Sequence, residues 1–379
     1  MYRSIALTLL MAAALCGSAK AQTITWVLKD AVVDEGSWYL PRLASDGNEA
    51  KYFWDTPGPE LVVAGQEFAG GFEPFQYMTG VWDSGEAVTW GPFSEYSEVE
   101  NPAVAMATFC PVYCYLFDAI VEVHQGGQDS GSALWYRIAS VNVTSTPIPS
   151  RLPWSTAAKY DQGFNPTIAM DPVASIDTNT EAPIVEVHQA AAGVSNLWYH
   201  VGQVSMTKSG AVSLTWGPSY RFEEDTQGSN PSVTLCNGVA IEVHEGESGT
   251  LWYSIGTVAG DTVSWNTAQK YDNGYAPSVS ACAYGNTTGP YLIEAHQAAN
   301  PGTGESTPLW YHVAPYTTGG ATWGAATKFA TGCSPSVAPF QYEYNDGYTA
   351  DYYQVAVTLA GACGAAYALY YYVGDPNLP

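Results

Sequence analysis

Six tryptophans, Trp26, Trp90, Trp154, Trp216, Trp265 and Trp323, recur at intervals of 49 to 64 residues. Tyr96, Tyr160, Phe222, Tyr271 and Phe329 each follow one of the last five by six residues. A proline follows every one of the six by twelve or fifteen: Pro41, Pro102, Pro166, Pro231, Pro277 and Pro335. A period of this length means stacked copies of one supersecondary unit rather than a single irregular core.

Each unit reads as four short β segments. The clearest copy is Ala276-Pro277-Ser278-Val279-Ser280 (strand A), Tyr291 to His296 (B), Leu309-Trp310-Tyr311-His312-Val313 (C) and Ala321-Thr322-Trp323 (D). Strand A recurs from each of the six prolines. Strand B recurs as Val121-Glu122-Val123-His124, Val185-Glu186-Val187-His188 and Ile241-Glu242-Val243-His244, and strand C as Leu134-Trp135-Tyr136, Leu197-Trp198-Tyr199 and Leu251-Trp252-Tyr253. Apolar residues occupy both phases of B and C, as expected when both faces of a sheet are covered.

The ends constrain the topology. After the first 22 residues the chain starts with a lone strand D (Ile24-Thr25-Trp26), and it stops after a strand C (Leu369 to Gly374). The expected fold is therefore an all-β, six-bladed β-propeller with four-stranded blades, closed by an N-terminal strand (23–27) that pairs into the C-terminal blade. Ring closure of this kind leaves no sheet edge open to aggregation.

Residues 1–21 carry Arg3, an apolar run from Ile5 to Cys16 and Ala19-Lys20-Ala21, the pattern of a signal peptide cut before Gln22. The expected organisation is a signal peptide over 1–21 and a single propeller domain over 22–379, with a secreted or periplasmic location. Loss of Arg3 and Lys20 takes the net charge from -24 to -26. Nucleic acid is excluded as a partner by repulsion from its phosphates, and no stretch after the leader has the ~20 apolar residues of a membrane span.

In a propeller the B-to-C and D-to-A loops share one face. There the sequence places the histidines that end strand B, the tryptophans that end strand D, and the segments Tyr160-Asp161-Gln162-Gly163 and Tyr271-Asp272-Asn273-Gly274. Flat aromatics beside short polar groups suit a sugar, which needs stacking on its C–H face and directed hydrogen bonds to its hydroxyls. The candidate ligand-binding residues are Trp154, Tyr160, Asp161, His188, Trp216, Trp265, Tyr271, Asp272 and Trp323. The competing reading is structural: Asp-x-Gly as turn chemistry with glycine at positive φ, and the Glu-x-His pairs as a buried, mutually satisfied girdle.

No cofactor and no metal site is expected. The strand-B histidines lie in different blades, and His200 and His312 stand several positions from registry with His188 and His296. The acidic loops lack the oxygen-ligand spacing of a calcium site. No catalytic residue is identified: there is no activated nucleophile, and the six strands A offer no paired carboxylates, with Asp171 the one acid near them. Sialidase-type Ser-x-Asp-x-Gly-x-Thr-Trp turns and an arginine cluster are also missing, since only Arg42, Arg137, Arg151 and Arg221 follow the leader.

Six cysteines follow the leader, consistent with an oxidising compartment. Sorting them by face reduces fifteen pairings to three, of which Cys110–Cys114, Cys236–Cys282 and Cys333–Cys363 is the expected set.

The Val-Glu-Val-His, Leu-Trp-Tyr and Thr-Trp-Gly elements, spread over nearly the whole chain after the leader, resemble the repeats of secreted β-propeller lectins of the tectonin-like and bacterial fucose-lectin kind. The resemblance implies a non-enzymatic, multivalent carbohydrate binder with glycan or glycoconjugate partners. The alternatives are a propeller that binds an extracellular protein or serves as an envelope or matrix scaffold, and a glycoside hydrolase or lyase.

Overall fold

A computed structural model describes residues 25–33, 38–45, 61–67, 74–83, 87–92, 94–112, 115–126, 132–142, 151–171, 180–222, 227–281, 291–300, 307–345, 350–361 and 369–375. The described residues are all β: an all-β propeller of four-stranded antiparallel blades.

Strand β1 covers Thr25–Val33. The first blade is β2 (Trp38–Ser45), β3 (Leu61–Glu67), β4 (Pro74–Asp83) and β5 (Ala87–Trp90). The second is β6 (Ser94–Val112), β7 (Tyr115–Gly126), β8 (Ala133–Asn142) and β9 (Ala158–Gln162). The third is β10 (Phe164–Met170), β11 (Glu181–Ala191), β12 (Val194–Met206) and β13 (Val212–Arg221). The fourth is β14 (Ser229–Cys236), β15 (Val239–Gly246), β16 (Thr250–Ala259) and β17 (Thr262–Trp265), with β18 (Gln269–Asn273) continuing its outer edge. The fifth is β19 (Tyr275–Ala281), β20 (Tyr291–Gln297), β21 (Thr307–Thr317) and β22 (Gly320–Ala321).

Contiguous stretches of chain thus make five blades, which corrects the expected six. The remaining strands β23 (Thr327–Asn345), β24 (Ala350–Gly361) and β25 (Leu369–Asp375) form a three-stranded run. On its outer side β25 pairs antiparallel with β1, Thr25 opposite Asp375 and Trp26 opposite Gly374.

A second correction concerns the outer strand, which was expected to end at its tryptophan. Past it, Ala158–Gln162 and Gln269–Asn273 pair with the opening of strand C, Leu134 opposite Asp161 and Leu251 opposite Asp272. Tyr160-Asp161 and Tyr271-Asp272 therefore sit on strands rather than in loops, because the exposed edge of strand C still offers backbone partners there. The turn into the next blade comes later, where Asn101, Asn165, Asn230, Ala276 and Ser334 take φ of 46 to 49°. Asparagine tolerates this left-handed region best among residues with a side chain, and the proline that follows each supplies the fixed φ of the new strand.

Cores lie between blades. Between the second and third, Val121, Val123 and Ile168 pack with Ile184, Val204 and Met206; between the third and fourth, Val185, Val187 and Val201 pack with Val233, Leu235 and Ala240. The conspicuous aromatics close these cores in a fixed order. Tyr160 stacks on Trp216 (4.9 Å, 21°), Phe222 on Trp265 (4.7 Å, 29°) and Tyr271 on Trp323 (4.2 Å, 17°). Tyr136, Tyr199 and Tyr253, the last residues of the Leu-Trp-Tyr triplets, meet the same three indoles edge-on. Each tryptophan thus packs on aromatics of the blade before it, which explains why the repeat keeps both.

The inner strands are pinned to one another by hydroxyls. Val279 N–H donates to Ser232 Oγ (3.1 Å), Ala281 N–H to Thr234 Oγ (3.0 Å) and Val337 N–H to Ser278 Oγ (3.1 Å). These strands line a central channel whose described lining holds one charged residue, Arg42. Cys236 and Cys333 are disulfide-bonded; Cys114, Cys282 and Cys363, and with them one partner of each expected pairing, fall outside the described residues, as does the proposed signal peptide.

Candidate functional site at the blade junctions

Strand B delivers a buried carboxylate and a histidine two residues apart on one face of the sheet. The carboxylates of Glu122, Glu186, Glu242 and Glu294 accept from Nδ1 of His124, His188, His244 and His296 at 2.9, 3.0, 2.9 and 3.0 Å, and all eight residues are buried. This pairing fixes the tautomer: when neutral, each imidazole carries its hydrogen on Nδ1 and leaves Nε2 with a lone pair.

In the third and fifth blades strand C adds a second histidine. Antiparallel pairing sets His200 opposite Glu186 and His312 opposite Glu294, which brings each diagonally beside the strand-B histidine. His188 and His200 stack at 5.9 Å, and His296 and His312 at 5.6 Å. The outer strand of the preceding blade then contributes an aspartate. Asp161 Oδ2 lies 2.8 Å from His200 Nε2 and 3.7 Å from His188 Nε2, and Asp272 Oδ2 lies 2.7 Å from His312 Nε2 and 3.9 Å from His296 Nε2. The aspartates retain 27% and 28% side-chain exposure, so each cluster reaches solvent, while the histidines are buried. The separation from registry inferred from sequence is thereby corrected, since twelve residues of hairpin fold His200 back onto His188.

The electrostatics follow from these contacts. Burial opposes the charge of Asp161, but hydrogen bonds from His200, Ser219 and the Gln162 amide and the field of His188 outweigh it and hold the carboxyl down at about 2. Burial likewise opposes a charged His200, yet its bond to Asp161, the field of Glu186 and the Gly217 carbonyl on Nδ1 (3.1 Å) raise its pKa above 6.5. Beside them, burial first and Glu186 second push the Tyr160 hydroxyl well above its ordinary value, and burial and Glu294 do the same to Tyr271. A raised histidine stabilises the fold fully below its unfolded pKa and loses that contribution as pH rises through the folded value. A depressed aspartate stabilises it above its unfolded pKa and loses the contribution as pH falls towards 2. The pair's contribution is accordingly expected to be complete between about pH 4 and pH 6.5 and to decline on both sides. Thermal melts across pH, with His200→Gln flattening the alkaline limb, check this.

The sequence-derived candidates fall into three groups. Asp161, Asp272, Tyr160, Tyr271 and His188 are brought together in or against these clusters. Trp216 and Trp323 stand at their edge, 5.8 Å from His200 and 5.7 Å from His312. Trp154 and Trp265 lie at other junctions, edge-on to Tyr77 and Tyr199. Sequence reasoning missed His200 and His312 as members. The available signal was that a histidine directly follows Leu-Trp-Tyr only in the two units that come after a unit whose tryptophan-plus-seven residue is aspartate, Asp161 before His200 and Asp272 before His312. Asp171 belongs elsewhere: it is buried, and its Oδ2 accepts the Gly238 amide at 2.7 Å, tying a hairpin of the third blade to the fourth.

No protein-family model and no curated protein matches the sequence. Among solved structures, the chain is similar to a neuraminidase-like protein from A/bat/Guatemala (7% identity, 95% of this chain and 96% of that one, TM-score 0.51). It is also similar to the parainfluenza virus 5 hemagglutinin-neuraminidase (8% identity, 93% and 95%, TM-score 0.50). A Trypanosoma rangeli sialidase in complex with sialic acid is found at 10% identity and TM-score 0.47, over 93% of this chain and 57% of that one. At these identities the likeness is one of fold. The neighbours are a neuraminidase-like protein and a hemagglutinin-neuraminidase, which stands against the expected lectin function and the expectation of a non-enzymatic protein and corrects both; the likeness itself shows a β-propeller fold.

Proposed function

We propose that this chain is an exported glycan-processing propeller of the glycoside-hydrolase class, built as a six-membered ring. Three observations support the ring. Segments 42–44, 103–106, 167–170, 232–235, 278–281 and 336–338 border one channel. Leu43 N–H donates to Ser336 Oγ at 2.9 Å, repeating the hydroxyl link of the other inner strands. The β1–β25 pairing supplies a fourth strand to the last sheet.

The observation that carries the functional reading is the duplicated Asp–His pair, set on a fold shared with neuraminidase-like proteins. Glycosidic cleavage needs an ionised carboxylate and a proton donor held at the site. Asp161 is kept ionised and partly open to solvent beside a buried imidazole that can carry a proton, and the Asp272–His312 contacts repeat the arrangement. The channel lining lacks a carboxylate among its described residues, which argues for the junctions as the working sites. Tyr160 and Trp216 frame one and Tyr271 and Trp323 the other, with Trp154 and Trp265 as flanking glycan contacts. The 1–21 leader is proposed to be cleaved on export.

The test is hydrolysis of a panel of chromogenic glycosides, a sialoside included. The wild-type chain is expected to turn over at least one, and Asp161→Asn with Asp272→Asn to lower that rate by at least tenfold while Asp171→Asn at matched folded fraction does not. Absence of turnover across the panel, or turnover indifferent to both substitutions, overturns the reading.

A further inference from the structure

Two imidazole nitrogens and one carboxylate oxygen converge at each junction, and the 2.8 and 2.7 Å contacts of Asp161 with His200 Nε2 and of Asp272 with His312 Nε2 require a proton or another cation between them, because the Nδ1 hydrogens are already committed. His188 presents Nε2 because Glu186 takes the Nδ1 hydrogen, and His200 presents Nε2 because the Gly217 carbonyl takes its own. Both Nε2 atoms and Asp161 Oδ2 lie within 4.8 Å of one another. Nε2 of His188, a residue only 1% exposed, is 3.7 Å from Asp161, beyond hydrogen-bonding reach, and points into the same space. Asp272, His296 and His312 repeat the arrangement, with Glu294 on His296 Nδ1 and the Gly324 carbonyl on His312 Nδ1 (2.9 Å). Lone pairs converging in this way need a positive centre among them, either a proton on one histidine or a metal ion.

We propose that Asp161/His188/His200 and Asp272/His296/His312 are two equivalent binding sites for a divalent transition metal of the zinc type. The donor set is two imidazole nitrogens and one carboxylate oxygen, the composition of open zinc sites that keep a fourth position for water. The fit is close. Ligands of a tetrahedral zinc at bonds of about 2.0–2.1 Å stand about 3.3 Å apart; the Asp–His separations here are 2.8 and 3.7 Å at one site and 2.7 and 3.9 Å at the other. The two Nε2 atoms of each site lie within 4.8 Å of one another, so the ion is accommodated by drawing the side chains together.

Both histidines of each site already have the outer partner that metal-bound histidines carry, a carboxylate on one and a backbone carbonyl on the other. The partly exposed aspartate is the entry side and leaves room for the water ligand.

The repeats supply an internal control. Where strand C carries histidine directly after Leu-Trp-Tyr, the outer strand of the preceding blade carries Tyr-Asp, as Tyr160-Asp161 with His200 and Tyr271-Asp272 with His312. Where the strand-C position is Arg137 or Ser254, the matching pair is Tyr96-Ser97 or Phe222-Glu223. The strand-B histidine is present in all four units. A structural girdle needs only that histidine; the second histidine and the aspartate come and go together, as ligands of one ion would. The two sites also differ in chain spacing, 161/188/200 against 272/296/312, yet converge on the same distances.

The inference goes beyond the glycan reading: a bound ion takes the place of the proton on the strand-C histidine, so an occupied site is not the acid–base pair proposed above, and occupancy is read without turnover, which tells the failure of one reading from the failure of the other. The full chain, free of affinity tag and stripped with chelator, is dialysed against zinc at neutral pH, and bound metal is counted by mass spectrometry. Two ions per chain are expected, one after Asp161→Asn or Asp272→Asn, and none after both. Cobalt(II) in place of zinc is expected to give the intense visible bands of a tetrahedral site, halved by either single substitution. Far-UV circular dichroism on each variant guards against misfolding; should an aspartate variant unfold, His200→Gln and His312→Gln serve as replacements. Wild-type chain that retains no ion, or occupancy that survives loss of both aspartates or both strand-C histidines, overturns the proposal and leaves the clusters as proton-bridged pairs.

Discussion

Glu186→Ala is expected to cost about 3–5 kcal/mol of unfolding free energy, the range found when one member of a buried charged pair is removed. Glu186 is fully buried, and its two oxygens lie 3.2 and 3.0 Å from His188 Nδ1. Alanine removes the acceptor and leaves a void, so His188 keeps an Nδ1 hydrogen with no partner in a site that excludes water. The Tyr160 hydroxyl loses the neighbouring carboxylate at the same time. Glu186→Gln keeps an acceptor of nearly the same shape and is expected to cost about 1–3 kcal/mol. Denaturant melts of the two variants give the difference directly. Equal losses would mean that charge rather than volume holds the junction, and a loss below about 1 kcal/mol for alanine would remove the girdle from the account of stability. Glu294→Ala, with the same contacts two blades on, is expected to match it.

The repeated parts of this architecture were legible because they are local. A proline at the start of each inner strand, Glu-x-His on the second strand and Leu-Trp-Tyr on the third in four units, and the recurring tryptophan of the fourth locate the segments of a unit without tertiary information. What escaped depends on register. Nothing in the text Tyr-Asp-Gln-Gly distinguishes a turn from a strand, and residues 158–162 are a strand because strand C has a free edge beside them. The tryptophans looked like open stacking platforms, whereas Trp216 and Trp323 each have one face covered by the tyrosine of the blade before. That pairing spans 56 and 52 residues, by subtraction of Tyr160 from Trp216 and Tyr271 from Trp323. The histidine clusters were hidden for the same reason. His188 and His200 are twelve positions apart in the chain and neighbours in space only once His188 is set opposite Trp198 and Glu186 opposite His200. The function expected from the repeat motifs failed at another level, because a style of repeat constrains how blades pack and says little about the chemistry placed between them.

Gly228→Ala is expected to destabilise the protein by about 1–3 kcal/mol, towards the upper end, through overpacking against one ring. A Cβ at this position would come within 2.3, 2.5 and 2.9 Å of Cδ2, Cγ and Cβ of His244. Gly163 and Gly274 meet His188 and His296 in the same way, at 2.3 and 2.5 Å from Cδ2. None of the three has positive φ, so turn geometry, the reason expected for the Asp-x-Gly glycines, is not why they are there. They let the imidazole of strand B lie close against the backbone there, where its Nδ1 reaches the strand-B carboxylate. Gly228 allows the sharpest test because its three nearest neighbours all belong to His244. In a His244→Ala background the added methyl is expected to cost little, so the double-mutant cycle should return a coupling close to the whole single-site penalty. At Gly163 the same cycle should recover only part, since the Gln189 carbonyl also lies 2.8 Å from the added carbon. A full penalty at Gly228 without the histidine would mean that the glycine serves its own strand and that the rings are positioned by something else.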